Sequence, residues 1–181
     1  MISKLIQLNA IVFLFVNICL SQYQINKLYK NVKHQFNVGY DSTINNIEKD
    51  NKGDRFTFRG KMDNKFILEG TVIEYFEDGL IAAAKQSIIR ECEGVGPDSE
   101  SWCEDIDSVI VTKNQNGLKV ARIYMRHVDS FNSKYTIGPF YAIDLPNNLG
   151  NNALFIFHFD KSLPLVEDMY WKIVNSVKQI K

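Results

Sequence analysis

Three histidines occur in the chain, His34, His127 and His158, and two of them open the same short pattern, His127-Val128-Asp129 and His158-Phe159-Asp160. In a strand, residues two apart share a face, so each stretch would set an imidazole beside a carboxylate. If the two strands were neighbours, the four groups would form a mixed nitrogen and oxygen set of the kind zinc accepts. The same His–Asp pair would be able to activate the hydroxyl of Ser130 as a nucleophile. The competing reading is that both patterns fall at strand ends, where the chain turns polar, and are surface groups. A small hydrolase or metal-dependent enzyme built on His127, Asp129, His158 and Asp160 therefore stands as an alternative. No complete catalytic constellation is assigned and no cofactor is implied.

The second chemical stretch is Glu91–Asp105, ECEGVGPDSESWCED. Its Gly-Val-Gly-Pro is no phosphate-binding loop, because no Lys-Ser/Thr follows it and carboxylates surround it. It also lacks the spaced ligands and sharp-turn glycine of a calcium loop. Cys92 and Cys103 sit among acids, which disfavour a thiolate nucleophile. In an exported chain such a pair reads as a disulfide, and closing this loop stabilises a fold by ~3 kcal/mol in the loop-entropy account. Trp102 is the one large apolar group of the stretch. It either packs over the bridge or stands out as an aromatic anchor. In the second case Trp102, Asp98, Glu100 and Glu104 form the candidate binding loop.

The expectation of export comes from the N-terminus. Lys4 precedes an apolar run, Leu5–Leu20, and Cys19 and Ser21 occupy the −3 and −1 positions before Gln22. This order predicts a signal peptide over residues 1–21, cleaved before Gln22, and a secreted or periplasmic product. Gln7, Asn9 and Asn17 dilute the run below the roughly 20 apolar residues of a membrane span. Lipoprotein processing at Cys19 fits less well, since Ile18 stands where a small residue is needed. Once Cys19 is removed, Cys92 and Cys103 are the only cysteines left. No later segment predicts a transmembrane helix. The absence of any Asn-x-Ser/Thr acceptor fits an envelope route without glycosylation.

Residues 22–181 are expected to form one domain, with no repeat, linker or low-complexity tract. Apolar residues make up 45% of the chain and aromatics 12%, which supports a folded core. The 21 basic residues balance 21 acidic ones, leaving no electrostatic case for nucleic acid.

Local patterns predict the elements that must carry these groups. Ile25, Leu28, Tyr29, Val32 and Phe36 recur at helical spacing, predicting an amphipathic helix over Tyr23–Phe36 that packs on the core or lies on a membrane surface. Val38–Asp54 is polar and reads as a loop. Arg55–Gly60 and Asn64–Phe76 alternate as a hairpin. Gly79–Cys92 predicts a helix capped by Asp78, with a strand as the competing assignment. Asp107–Lys113 and Leu118–Val128 flank the Asn116-Gly117 turn, and Lys134–Leu145 and Asn152–Phe159 make a second hairpin. Pro139 there requires an edge position or a bulge. Val166, Met169, Tyr170, Ile173, Val174 and Val177 trace a C-terminal helix opened by Pro164. The fold class is thus α+β: one antiparallel sheet of about six strands with a C-terminal four-strand meander, and N-terminal, middle and C-terminal helices packed on it.

The order from the Leu80–Cys92 helix, through the Asn116-Gly117 hairpin and the FYAID … ALFIFHF hairpin, to the closing helix MYWKIVNSVKQI resembles the Mog1/PsbP-like α/β/α sandwich. In that group an Asn-Gly turn and a terminal helix ending near a serine recur, here Asn116-Gly117 and Ser176. The resemblance implies a non-enzymatic adaptor or assembly role and assigns no functional residue. The resulting expectation is an exported, non-catalytic binding or assembly module, with the closed loop 92–103 as contact surface. Its partner is a protein or a small apolar ligand. A carrier would enclose the ligand among aromatics such as Phe140, Tyr141, Phe155 and Phe157.

Overall fold

Strand-forming stretches with apolar residues on both faces dominate the second half of the chain, and they assemble into a sheet that is covered on both sides. The computed structural model describes residues 24–60, 66–75, 79–93, 101–147, 150–157 and 167–180. Chain order is β1 Lys27–Asn31, β2 Phe36–Tyr40, β3 Ile44–Lys49, β4 Arg55–Gly60, β5 Phe66–Glu74, α1 Gly79–Glu93, β6 Trp102–Lys113, β7 Lys119–Val128, β8 Lys134–Asn147, β9 Gly150–Phe157, α2 Glu167–Ser176 and β10 Lys178–Gln179. Seven strands form an antiparallel sheet in the order β3-β4-β5-β9-β8-β7-β6, and β1-β2-β10 form a second, smaller sheet.

Alternation along β8 and β9 separates the two cores. Phe140, Ala142, Ala153, Phe155 and Phe157 face α1, where Leu80, Ala84 and Ile88 meet them. Tyr141, Ile143, Leu154 and Ile156 face the other way, onto Tyr29, Phe36, Phe56 and Phe58 and the α2 residues Tyr170, Ile173 and Val174. The period of two makes this division unavoidable. The predicted meander β6–β9 and the helices of the middle and C-terminus are present. Pro139 lies in an interior strand, at a register shift between Ile123 and Met125 of β7, so the bulge accommodates it.

Three expectations require correction. Tyr23–Phe36 is not a helix, since its described part is β1, a turn and the start of β2. Helical spacing groups Leu28, Tyr29 and Val32 on one face, but only Tyr29 is buried, while Leu28 and Val32 are 66% and 73% exposed. Asn31 closes the turn: its Oδ1 accepts from the His34 N–H, and its Nδ2 donates to Gly53 O at 2.9 Å. The segment read as a loop, Val38–Asp54, contains the end of β2 and all of β3, an edge strand whose outward residues are polar. The described residues form ten strands in two sheets, not six in one.

The tie between the two sheets is the C-terminus of α2. The Asn114 side chain, buried in the β6–β7 turn, donates to Val174 O at 3.3 Å and Val177 O at 2.8 Å. Its Oδ1 accepts from the Asn116 and Leu118 N–H groups, both at 3.0 Å. All four hydrogen-bonding positions of one amide are thus used, on Val174 O in the last turn of α2 and on Val177 O just beyond it. Gly117 turns the chain at φ 80°, a left-handed conformation suited to glycine. On the other side, Ser176 Oγ accepts from the Gly39 N–H at 2.8 Å. A side chain at Gly39 would collide with Ser176 Cβ at 2.9 Å, so the approach of β2 to the helix end requires glycine. Asn114→Ala removes the acceptor of the Asn116 and Leu118 N–H groups and one of the two donors to each of Val174 O and Val177 O. Its expected cost is about 3 kcal/mol, measured as a lowered urea midpoint with an unchanged slope.

Candidate functional site

Cys92 closes the last turn of α1 and Cys103 is the second residue of β6, and the two are joined in a disulfide with Cα atoms 5.9 Å apart. Both are buried in the core beneath α1. Alternation then decides the orientation of the neighbouring residue. With Cys103 turned towards α1, Trp102 projects to the opposite face of the strand, away from the bridge. It is 38% exposed. Asp98 and Glu100 lie outside the described residues. Glu104 pairs with Lys134 at 2.7 Å, a link from β6 to β8 across β7.

The register Trp102↔Val128 and Val128↔Lys134 brings the β7–β8 turn to the same end of the sheet. That turn is Asp129-Ser130-Phe131-Asn132-Ser133. Asp129 Oδ1 accepts from the N–H groups of Phe131 and Ser133, each at 2.9 Å. The Asp129 N–H donates to Ser133 O, and Asn132 adopts φ 58°. These bonds hold Phe131 at the tip, 86% exposed. Phe131 was not among the residues singled out from the sequence. Its signal was an aromatic placed between small polar turn formers, where no strand alternation carries it to the core. Charged and polar groups stand nearby on the same strands: Arg126 lies 3.7 Å from Asp107, and Thr136 donates to Asp107 at 2.9 Å.

Of the expected histidine constellation, His127 lies near the end of β7 and Asp129 just after it. The imidazole of His127 lies against the Tyr135 ring, with centroids 4.9 Å apart. Asp129 turns its carboxylate into its own loop. Strand β8 lies between β7 and β9 in the sheet. His158 and Asp160 lie outside the described residues. Among the described residues, no three His, Cys, Asp or Glu side chains gather to hold a metal. The aromatics expected to line a carrier cavity are divided by the sheet: Phe140, Phe155 and Phe157 are packed beneath α1, and Tyr141 lies on the opposite face. Phe155 meets Phe157 at 5.3 Å and Phe140 at 6.3 Å between centroids.

Two phenols respond to this packing. Burial, then the hydrogen bond to Asp144 at 2.8 Å and its charge, push Tyr75 up to about 12. Burial pushes Tyr141 up to about 12 as well, against the opposing pull of Arg122.

Two outcomes are expected. Replacing both cysteines by alanine removes the loop constraint and lowers unfolding free energy by about 3 kcal/mol, read by urea titration. The phenol values lie above the ordinary 10.0. The fold therefore favours the neutral phenols, a contribution complete below pH 10 and lost as pH rises from 10 towards 12. Stability measured across that window declines, and declines less steeply in Tyr75→Phe.

No protein-family model matches the chain, and no curated protein matches it. Among solved structures the chain is similar to the solution structure of cyanobacterial PsbP from Synechocystis sp. PCC 6803. The TM-score is 0.55, with 84% of this chain and 91% of that chain covered at 9% sequence identity. The likeness extends the PsbP-like pattern read from the second half of the sequence to most of the chain. At this identity it is a likeness of fold, and on that ground the protein has a PsbP-like α+β architecture.

Proposed function

We propose that the protein is an exported, non-catalytic binding or assembly module that engages a protein partner through the end of the sheet bearing Trp102 and Phe131. The observation that carries this reading is the exposure of two aromatic side chains on a stiff frame. Trp102 projects from a strand whose next residue is anchored by the Cys92–Cys103 bridge. Phe131 rides on a turn closed by the Asp129 carboxylate. Rigid, exposed aromatics are the residues that dominate interface energetics, because burying them costs little conformational entropy and removes a large apolar area from water. Glu104 and Lys134 beside them supply a polar rim, as in interfaces with an apolar centre.

Export is supported by the order of parts over residues 1–21 and by the exclusive cysteine pair that remains after cleavage before Gln22. Such bridges persist in oxidising compartments. The adaptor role implied by the Mog1/PsbP-like pattern agrees with the shared architecture. Within the described residues, no helix is long and apolar enough to cross a membrane.

The test is site-specific photo-crosslinking in the native host. A crosslinking aromatic at position 131 is expected to yield one discrete protein adduct, lost on Trp102→Ala. The same probe at Lys49, on the far edge strand, should yield none. Adducts of equal intensity at both positions, or an adduct at 131 that survives Trp102→Ala, would count against this surface.

A further inference from the structure

The small sheet has a charge character unlike the rest of the protein. Between Gln22 and Tyr40 the chain carries Lys27, Lys30 and Lys33 and no aspartate or glutamate, although acids and bases balance over the whole sequence. Strand β10 adds Lys178 on the far side of β2. Lys33 is neutralised by Asp54. Lys30 and Lys178 both lie beside Asn37 on the outward face, are exposed and have no ion-pair partner among the described residues, whereas Lys27 shares the face of Tyr29 and lies over the Tyr40 ring. Apolar groups lie between these cations. Along β1, Tyr29 and Asn31 turn inward, so Leu28 and Lys30 turn outward. Leu28 is 66% exposed, Val32 at the following turn is 73% exposed, and Ile25 ahead of the strand is 38% exposed.

We propose that the outer face of β1-β2-β10 docks on the surface of an anionic lipid bilayer. The lysines would lie against headgroup phosphates, with Leu28 and Val32 entering the headgroup layer. Charge complementarity supports this occupant: unpaired cations near an anionic leaflet each contribute to binding, and lysine stems let the charge reach the headgroups while the methylenes stay apolar. Residue types separate a bilayer from a protein partner. Protein interfaces are depleted in lysine and centred on aromatic or arginine side chains. This face is aliphatic and lysine-bearing, whereas the aromatic pair lies at the end of the large sheet. This surface is independent of the one bearing Trp102 and Phe131, and a protein using both would hold its partner beside a membrane.

The experiment is co-sedimentation of the exported, purified protein with large unilamellar vesicles of phosphatidylglycerol and phosphatidylcholine, compared with phosphatidylcholine alone. Binding is expected only to the anionic vesicles and is expected to fall with added salt. Replacing Lys30 and Lys178 together by glutamine should lower the partition about 25-fold, from about fivefold per lysine. Leu28→Ser with Val32→Ser should also weaken it, whereas Ile110→Ser with Val111→Ser, at exposed positions on β6, should leave it unchanged. All these positions are on the surface, and the thermal midpoint of each variant verifies folding. Equal sedimentation with both vesicle types, absence of binding to the anionic vesicles, or binding unaffected by the lysine variant would overturn the proposal. Capture of an acidic protein without vesicle binding would overturn it in favour of a protein partner.

Discussion

One buried amide holds the architecture together. Asn114 sits in a turn between two strands of the large sheet, yet two of its four hydrogen bonds go to Val174 O in the last turn of α2 and Val177 O just after it. Helix ends leave carbonyls without partners, and a buried end left so is costly. Placing the cap in the β6–β7 turn fixes where α2 stops. That stop puts Ser176 against Gly39 and delivers Lys178–Gln179 to pair with β2. The small sheet is thereby attached to the large one through the helix end as well as through the aromatic contacts of Tyr29, Phe56 and Phe58. Asn116 adds a further bond to Val177 O at 3.0 Å, so the Asn-Gly turn serves as both hairpin and cap.

With the layers held, strand alternation assigns the surfaces. Cys103 is required beneath α1 to meet Cys92, and that requirement sends Trp102 to the other face. The bridge and the exposed aromatic are therefore consequences of one register, not separate features. The same logic governs β1, where burial of Tyr29 and Asn31 leaves Leu28 and Lys30 outside. Two surfaces of different chemistry result, one aromatic with a polar rim and one aliphatic with lysines.

Much of the central framework was legible in the chain. The meander from Asp107 to Phe157 could be read because its strands are long, alternate strongly and are punctuated by an Asn-Gly turn. The middle and C-terminal helices were legible for the same reason at a different period. The N-terminal third was misread. Ile25, Leu28, Tyr29, Val32 and Phe36 satisfy helical spacing by coincidence, and the competing signal, a turn built by Asn31 through a bond to Gly53, depends on a residue far along the chain. Edge strand β3 was missed because its exposed residues are polar and only Ile44 is fully buried. At the site, Trp102 was singled out by its acidic surroundings. Phe131 was not, since a lone aromatic in a turn has no periodicity to reveal its exposure. Of the two His-x-Asp patterns, the described residues contain only the first, where Asp129 caps its own turn and His127 lies against Tyr135.

The sequence by itself determined what is local: the meander strands, two helices, the hairpin turn, the pairing of Cys92 with Cys103 and the absence of acids between Gln22 and Tyr40. These follow from hydrophobic period, turn chemistry and composition, which act over a few residues. Only the tertiary structure decided which strands are neighbours, that the N-terminal segment pairs as a hairpin, and which way Trp102 faces. Those outcomes depend on contacts between residues distant in sequence, above all the reach of Asn114 to Val174 and Val177 and of Asn31 to Gly53. No local pattern encodes such a contact, because its energy exists only once both cores have closed around it.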